Sequence, residues 1–342
     1  MILFRVDGNN SIGMGHISSS INIAKELKDF EILFISKYGE GISKIKEFGY
    51  DIRKIPENIS LEEEISIIKE INNNFKIDII IIDLLIDNYS EYCKNISKIN
   101  KSLVVDYLGG MEVYSDILIN PDILSENQNY IKKNNTIFYL GPKYALLNGQ
   151  VNKYHNLDKI IKDKITNVLI TMGGSDIRDL TPKVLEILKD FKEINFNIVI
   201  GHAFKNKNKI KKVLDSNKMN YSLIENSNNL SELMYDADLA ISTGGLTSFE
   251  LCTIGTPFIG ISAAIWESKR LKKMEEEGIC KYLGNFNGFE KKNLQNIFNE
   301  LVNSKKEREI MSSNSKKLLD GNGINRVVQM MRDVIKDGNK KN

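Results

Sequence analysis

Three glycine-containing turns hold the residues of this 342-residue chain whose types and spacing can do chemistry. The first is Gly13-Met14-Gly15-His16. The apolar run Ile2–Val6 precedes it, and Ile17, Ile21, Ala24 and Leu27 follow at helical spacing. Gly13 and Gly15 permit positive φ and close backbone approach to a substrate. His16 falls at the start of the predicted helix, where the positive end of the dipole disfavours the imidazolium, so a neutral ring is expected. A neutral imidazole is what a general base requires. The alternative is a capping or packing histidine.

The second turn is Met172-Gly173-Gly174-Ser175-Asp176. Its backbone N–H groups can take a phosphate, or the turn can close against the opposite domain. The alternative is an ordinary turn with Asp176 as a helix cap. The third runs Ser242-Thr243-Gly244-Gly245-Leu246-Thr247-Ser248-Phe249-Glu250. Gly244 and Gly245 at a helix start would expose N–H donors to a diphosphate. Glu250, about one turn on, can accept hydrogen bonds from both hydroxyls of a ribose, or it compensates the helix dipole. Asp83, ending the apolar run Ile77–Asp83, and Asp106, ending Leu103–Asp106, join Asp7, Asp116 and Asn120 as binding or acid/base candidates. Each of these alone is more commonly a turn or cap residue.

Other chemistries lack their motifs. No GxGxxG, GxxxxGK[ST] or GxSxG occurs, which argues against a dinucleotide fingerprint, a P-loop and a nucleophile elbow. Cys93, Cys252 and Cys280 are far apart with no CxxC, and the histidines His16, His155 and His202 are scattered. Neither a disulfide framework nor a metal site is expected, and no cofactor is. Reduced thiols and an opening, MILFRVDGNN, without a basic-then-apolar pattern lead us to expect a cytoplasmic protein with no signal peptide.

The elements that must position these residues alternate. Strand-like runs at Ile32–Ile35, Ile52–Ile55, Ile117–Ile119 and Ile137–Leu140 are interleaved with helix-like runs at Ile42–Phe48 and Leu61–Ile71, the latter with Ser60 and Glu63 spaced as a capping box. The more polar stretch Gly141–Thr166 breaks the pattern, and alternation restarts at Val168–Thr171 and continues to Glu267–Glu276. From Glu290 the tail reads as polar helices with a solvated Lys-rich end. The expectation is an α/β chain of two doubly wound, parallel-sheet, Rossmann-like domains facing a cleft: residues 1–150, carrying the histidine, and 151–342, binding nucleotide. The last helix either stays with the second domain or returns to the first.

Composition agrees with a globular chain, with 42% hydrophobic and 27% charged residues. Lys+Arg 47 against Asp+Glu 45 gives +2, which provides no field for nucleic acid or an anionic membrane. No apolar run is long enough for stable membrane insertion. Oligomeric state is not legible.

Taken in order, FRVDGNNSIGMGHISSSINIAKEL, IIIDLL, GPKYALL, VLITMGGSDIRDLT and ADLAISTGGLTSFELCTIGTP resemble the nucleotide-sugar hydrolases of pseudaminic acid biosynthesis, which cleave UDP-2,4-diacetamido-2,4,6-trideoxy-β-L-altropyranose. Spore-coat polysaccharide biosynthesis proteins are similar. The resemblance implies a GT-B fold, shared with the UDP-GlcNAc transferase of peptidoglycan synthesis, and metal-independent attack of water on the anomeric carbon of a UDP-sugar. It implies that His16 is the base and that Gly244, Gly245, Thr247 and Glu250 bind nucleotide. It further implies that Gly173, Gly174, Ser175 and Asp176 face the ligand and that Asp83 contacts the sugar. The chain departs from the family at Ser19 and Asn148, where arginines are usual, and at Ala263 and Ala264, where an Asn-Gln pair is usual; these changes remove donors for phosphate or sugar.

Two further readings share these residues. A GT-B glycosyltransferase would use the same UDP-sugar and base but pass the sugar to an acceptor hydroxyl. Such transferases often dock on membranes through a basic, apolar patch; here Ile65, Ile67, Ile68 and Ile71 are accompanied by Glu62, Glu63 and Glu64, which disfavours that. An inactive nucleotide-sugar-binding protein is the third reading, favoured by the missing arginines and opposed by His16.

Overall fold

The computed structural model describes residues 1–339 except Asn10, Ser175, His202, Ala203, Lys205 and Asn228. The chain forms two units, Met1–Asn148 together with Asn322–Asn342, and Gly149–Gly321.

Unit 1 runs β1 (Ile2–Val6), α1 (Gly15–Lys25), β2 (Ile32–Ser36), α2 (Gly39–Glu47), β3 (Asp51–Lys54), α3 (Leu61–Asn74), β4 (Ile79–Asp83), α4 (Tyr89–Ile96), β5 (Ser102–Val105), β6 (Glu112–Val113), β7 (Ile117–Asn120), β8 (Ile131–Lys132) and β9 (Ile137–Leu140). Seven strands form one parallel sheet in the order β3-β2-β1-β4-β5-β7-β9. β4 is apolar on both faces because both are covered. Ile79 and Ile81 face the layer holding Ile17 and Ile21 of α1, and Ile80 and Ile82 face Ile65 and Ile68 of α3 and Cys93 of α4. α3 begins at the capping box foreseen from its sequence: the Glu63 N–H donates to Ser60 Oγ (3.2 Å), and the Ser60 N–H to the Glu63 carboxylate (3.0 Å).

Unit 2 runs α5 (Gly149–His155), β10 (Asn167–Thr171), α6 (Leu180–Leu188), β11 (Asn195–Ile200), α7 (Lys207–Ser216), β12 (Asn220–Glu225), α8 (Leu230–Asp236), β13 (Leu239–Thr243), α9 (Leu246–Ile254), β14 (Phe258–Ser262), α10 (Ile265–Glu276), β15 (Lys281–Asn285), α11 (Lys291–Asn303) and α12 (Lys305–Leu318). Its six parallel strands are ordered β12-β11-β10-β13-β14-β15.

α13 (Gly323–Asn339) joins unit 1, where Ile324, Val327, Val328, Met331 and Ile335 are buried in the same core layer as α1. The tail is therefore neither uniformly polar nor wholly part of the second domain. Its apolar residues recur every three or four positions among charged ones and make one buried stripe.

In both sheets the chain winds outward from a central strand, then returns to its other side. The reversal lies between β1 and β4 in unit 1 and between β10 and β13 in unit 2. Adjacent crossovers there leave on opposite faces, which opens a crevice beyond the carboxyl ends of the strands. The turn carrying His16 follows β1, and Asp83 ends β4. Gly173-Gly174 follows β10 and Gly244-Gly245 follows β13.

Candidate functional site

In unit 1, β1 and β4 are in register, with Val6 opposite Asp83. The loop after β1 folds back on itself: the Gly13 N–H donates to Asn9 O (2.9 Å), and Asn9 Oδ1 accepts from the N–H groups of Ser11 (2.8 Å) and Ile12 (2.9 Å). Gly13 has φ +86°, a conformation that favours glycine. Gly15 is the first residue of α1, so His16 stands in its first turn.

The His16 ring turns to the neighbouring strand. Its Nδ1 lies 2.5 Å from Asp83 Oδ1, with 16% of the His16 side chain exposed and 1% of the Asp83 side chain. Asp83 Oδ2 has no hydrogen-bond partner among the described residues. Tyr107 packs edge-on against the ring at 5.8 Å. Burial works to lower the His16 pKa, but the charge and hydrogen bond of Asp83 outweigh it, Asp7 adds to them, and the pKa rises above its ordinary value. This corrects the expectation from the helix dipole alone: the paired carboxylate is nearer than the helix terminus and decides the sign. With Nδ1–H donating to Asp83, the neutral ring carries its lone pair on Nε2. Asp83, expected to touch sugar, holds the imidazole with one of its two oxygens.

The other polar candidates of unit 1, Asp106, Asp116, Asn120 and Asp7, are occupied structurally. Asp106 accepts from the N–H groups of Leu108 (3.1 Å) and Gly109 (2.8 Å) and from the Tyr130 hydroxyl (2.6 Å). Asp116 accepts from the Ser102 N–H (2.8 Å). Asn120 donates to Gln128 and Tyr130 (both 2.6 Å). Asp7 accepts from the Lys37 N–H (2.8 Å) and pairs with Arg5 (2.8 Å). Ser19 is fully buried in α1, so that position faces the interior.

In unit 2, Asp176 is buried, and its carboxylate accepts from the N–H groups of Leu180 and Thr181, both at 2.8 Å. It caps α6, the alternative considered for it, with one backbone N–H on each oxygen. Gly173 has φ +77°. Gly174 lies against Gly201: a Cβ on Gly201 would stand 2.4 Å from the Gly174 carbonyl oxygen. Ser175 lies outside the described residues.

The third turn differs from its expectation in one respect. The Gly244 N–H is not open, because it donates to Glu267 Oε2 at 3.3 Å. Gly245 is the N-cap of α9, and Leu246 and Thr247 are its first two residues. A helix bonds N–H to the carbonyl four residues back, so these two N–H groups have no intrahelical acceptor. Glu250, one turn along, makes no hydrogen bond or ion pair to the described residues, and burial pushes its carboxyl up to about 7. Sequence reasoning missed Glu267 and Arg270, which hold this turn from α10; their i, i+3 spacing was the available signal.

Among the described residues, no cluster of three or more His, Cys, Asp or Glu could hold a metal ion. Among them also, no helix is long and apolar enough to cross a membrane.

Two parallel-sheet α/β domains of this topology define the GT-B fold. The crystal structure of MurG from Acinetobacter baumannii has it too, with a TM-score of 0.70 and 13% identity, covering 97% of this chain and 99% of that one. Anabaena HepE, solved in complex with UDP and glucose, has a TM-score of 0.60 and 13% identity, with 97% and 99% covered. Residues 167–325 match the glycosyltransferase family 28 C-terminal domain. The chain is homologous over its length to the spore coat polysaccharide biosynthesis protein SpsG of Bacillus subtilis, 26% identical with 96% of each chain covered. The UDP-2,4-diacetamido-2,4,6-trideoxy-beta-L-altropyranose hydrolase of Campylobacter jejuni is 25% identical over 80% of this chain and 98% of that one. A Methanocaldococcus jannaschii protein is 33% identical over 74% of this chain, and the match spans about half, 54%, of that relative's length.

Proposed function

We propose that this chain is a cytoplasmic nucleotide-sugar hydrolase of surface-polysaccharide biosynthesis, releasing UDP and a free diacetamido-trideoxy sugar. The observation that carries the reading is the His16–Asp83 pair, 2.5 Å apart at the switch point of the unit 1 sheet. Asp83 orients the ring, and Nε2 of His16 takes the proton of a water molecule. The water oxygen bonds to the anomeric carbon as the bond from that carbon to the phosphate oxygen breaks, and its electron pair leaves with UDP. Unit 2 supplies the nucleotide site. The Leu246 and Thr247 N–H groups face the diphosphate at the positive end of α9, and Glu250 accepts from the ribose hydroxyls. The homology to the altropyranose hydrolase and to SpsG supports substrate and setting.

The match to a family 28 glycosyltransferase domain favours a second reading, in which the same base activates an acceptor hydroxyl. The test is UDP release from a panel of UDP-sugars without acceptor, the diacetamido-trideoxy sugar included. Equimolar UDP and free sugar, lost in His16→Ala while UDP still binds, supports the hydrolase. UDP release that requires an added acceptor overturns it in favour of transfer.

A further inference from the structure

Gly244 is held by both of its backbone groups, and both holders come from one face of α10. Glu267 Oε2 accepts from the Gly244 N–H (3.3 Å) and the Ala263 N–H (2.7 Å). Arg270 Nη1 donates to the Gly244 carbonyl (2.7 Å). The side chains are buried, Glu267 6% and Arg270 2% exposed. The Arg270 guanidinium lies over two rings, 4.9 Å from the centre of Phe249 of α9 and 5.0 Å from that of Trp266 of α10. The helix comes this close because residue 244 lacks a side chain: a Cβ there would stand 2.9 Å from Glu267 Cβ and 3.0 Å from Leu271.

Glu267 thus fixes the peptide between Thr243 and Gly244, and Arg270 the next one, between Gly244 and Gly245, which enters α9. Rotating these two peptides would re-aim the N–H groups that follow, at Leu246 and Thr247, while leaving the rest of α9 in place. We infer that Glu267 and Arg270 are positioning residues that set the diphosphate-binding turn of this chain, acting through Gly244 and not by touching the ligand. A guanidinium stacked on two rings is pre-organised in a way a lysine ammonium is not. Trp266, 43% exposed at the start of α10, is the more open of the two rings over which Arg270 lies.

This inference rests on the proposed nucleotide site, and the test separates the two. Calorimetric titration of the full chain with UDP and with UMP gives the diphosphate preference. In Arg270→Met, UDP affinity is expected to fall about tenfold or more, the scale of a lost hydrogen bond to a charged group, with UMP affinity changed less than twofold. Arg270→Lys keeps a charged donor and should recover part of the loss. Trp266→Ala, a partly exposed change that should fold in any case, is expected to weaken UDP about threefold in the same selective way. A wild-type chain that binds UDP no better than UMP overturns the diphosphate site itself. A wild-type preference that survives unchanged in Arg270→Met and Trp266→Ala overturns the clamp, as does an equal loss for both nucleotides.

Discussion

Nδ1 of His16 lies 2.5 Å from Oδ1 of Asp83, which ties the first turn of α1 to the last residue of β4. The two residues are 67 positions apart in the chain and meet because β1 and β4 are adjacent, with Val6 opposite Asp83. The winding reverses between these strands, which places the pair at the carboxyl ends where the crevice of the sheet opens. A buried carboxylate at one ring nitrogen fixes the tautomer and leaves the other nitrogen for proton transfer.

The first prediction concerns pH. The His16 pKa stands above its ordinary value, because Asp83 outweighs burial. Only the neutral ring accepts a proton, so UDP release should rise with pH through that raised value. In Asp83→Asn the charge is gone and burial remains, so the rising limb should move to lower pH. The maximal rate should drop roughly a hundredfold or more, because an amide can hold the wrong tautomer. The charged pair also contributes stability that is full below the unfolded histidine pKa and is lost as pH rises through the folded one; Asp83→Asn should lack this dependence. A pH profile of UDP release with an unmoved limb would sink the role given to Asp83.

Glu250 sets stability against binding. Its carboxyl titrates at about 7 because burial disfavours the charge, with no partner among the described residues to offset it. The unfolded chain gives up this proton near the ordinary glutamate value, so folding stability should decline as pH rises from there to about 7. Glu250→Gln removes the desolvated charge and should stabilise the protein at pH 8 by about 3 kcal/mol, while weakening UDP binding through loss of a charged acceptor. Denaturation at pH 5 and pH 8, with UDP titration alongside, checks both halves. Lower stability at pH 8 in the variant would refute the assignment.

How much of this was legible depends on range. The Ser60–Glu63 cap and the doubly covered β4 are local patterns, and the structure has both. The pairing of Asp83 with His16 was not legible, because it is set by strand order, which no short window contains. Glu64 sat in the run Glu62-Glu63-Glu64 and read as part of an acidic surface, whereas it turns inward and only 4% of its side chain is exposed. Glu267 and Arg270 read as ordinary helix polar residues, because their target is a glycine backbone on another element.

The inward turn of Glu64 yields a stability prediction. Its carboxylate accepts from Arg5 Nε (2.6 Å) and the Tyr92 hydroxyl (2.7 Å) and pairs with Lys37 (3.1 Å). Burial opposes the charge, but Arg5, Tyr92 and Lys37 together hold its pKa below the ordinary value. Removing one member of a buried ion pair strands the other, at about 3–5 kcal/mol. Arg5→Met and Glu64→Leu should each destabilise unit 1 by that order, and the double variant by less than their sum, since Asp7 and Lys37 still lose a partner. Urea unfolding of the four proteins gives the coupling; additive losses would show the pair to be energetically independent.

The last prediction is a truncation. Val327 and Met331 are fully buried in unit 1, and Ile324, Val328 and Ile335 nearly so. The Lys101 ammonium donates to the Val334 carbonyl (2.8 Å), and Arg332 makes a two-point contact with Asp29 (2.5 and 2.6 Å). The ion pair is exposed and adds little. The apolar stripe matters more: at roughly 1.5–3 kcal/mol per fully buried side chain, five of them amount to about 10 kcal/mol. That is comparable with the whole stability of a domain, about 5–15 kcal/mol. Deleting residues from Asn322 onward should therefore unfold unit 1, while unit 2, Gly149–Gly321, keeps its own core. The check is hydrogen exchange on the truncated chain: protection should vanish from β1 and β4 and persist in β10 and β13. Retained protection in β1 would mean that the sheet of unit 1 stands without α13.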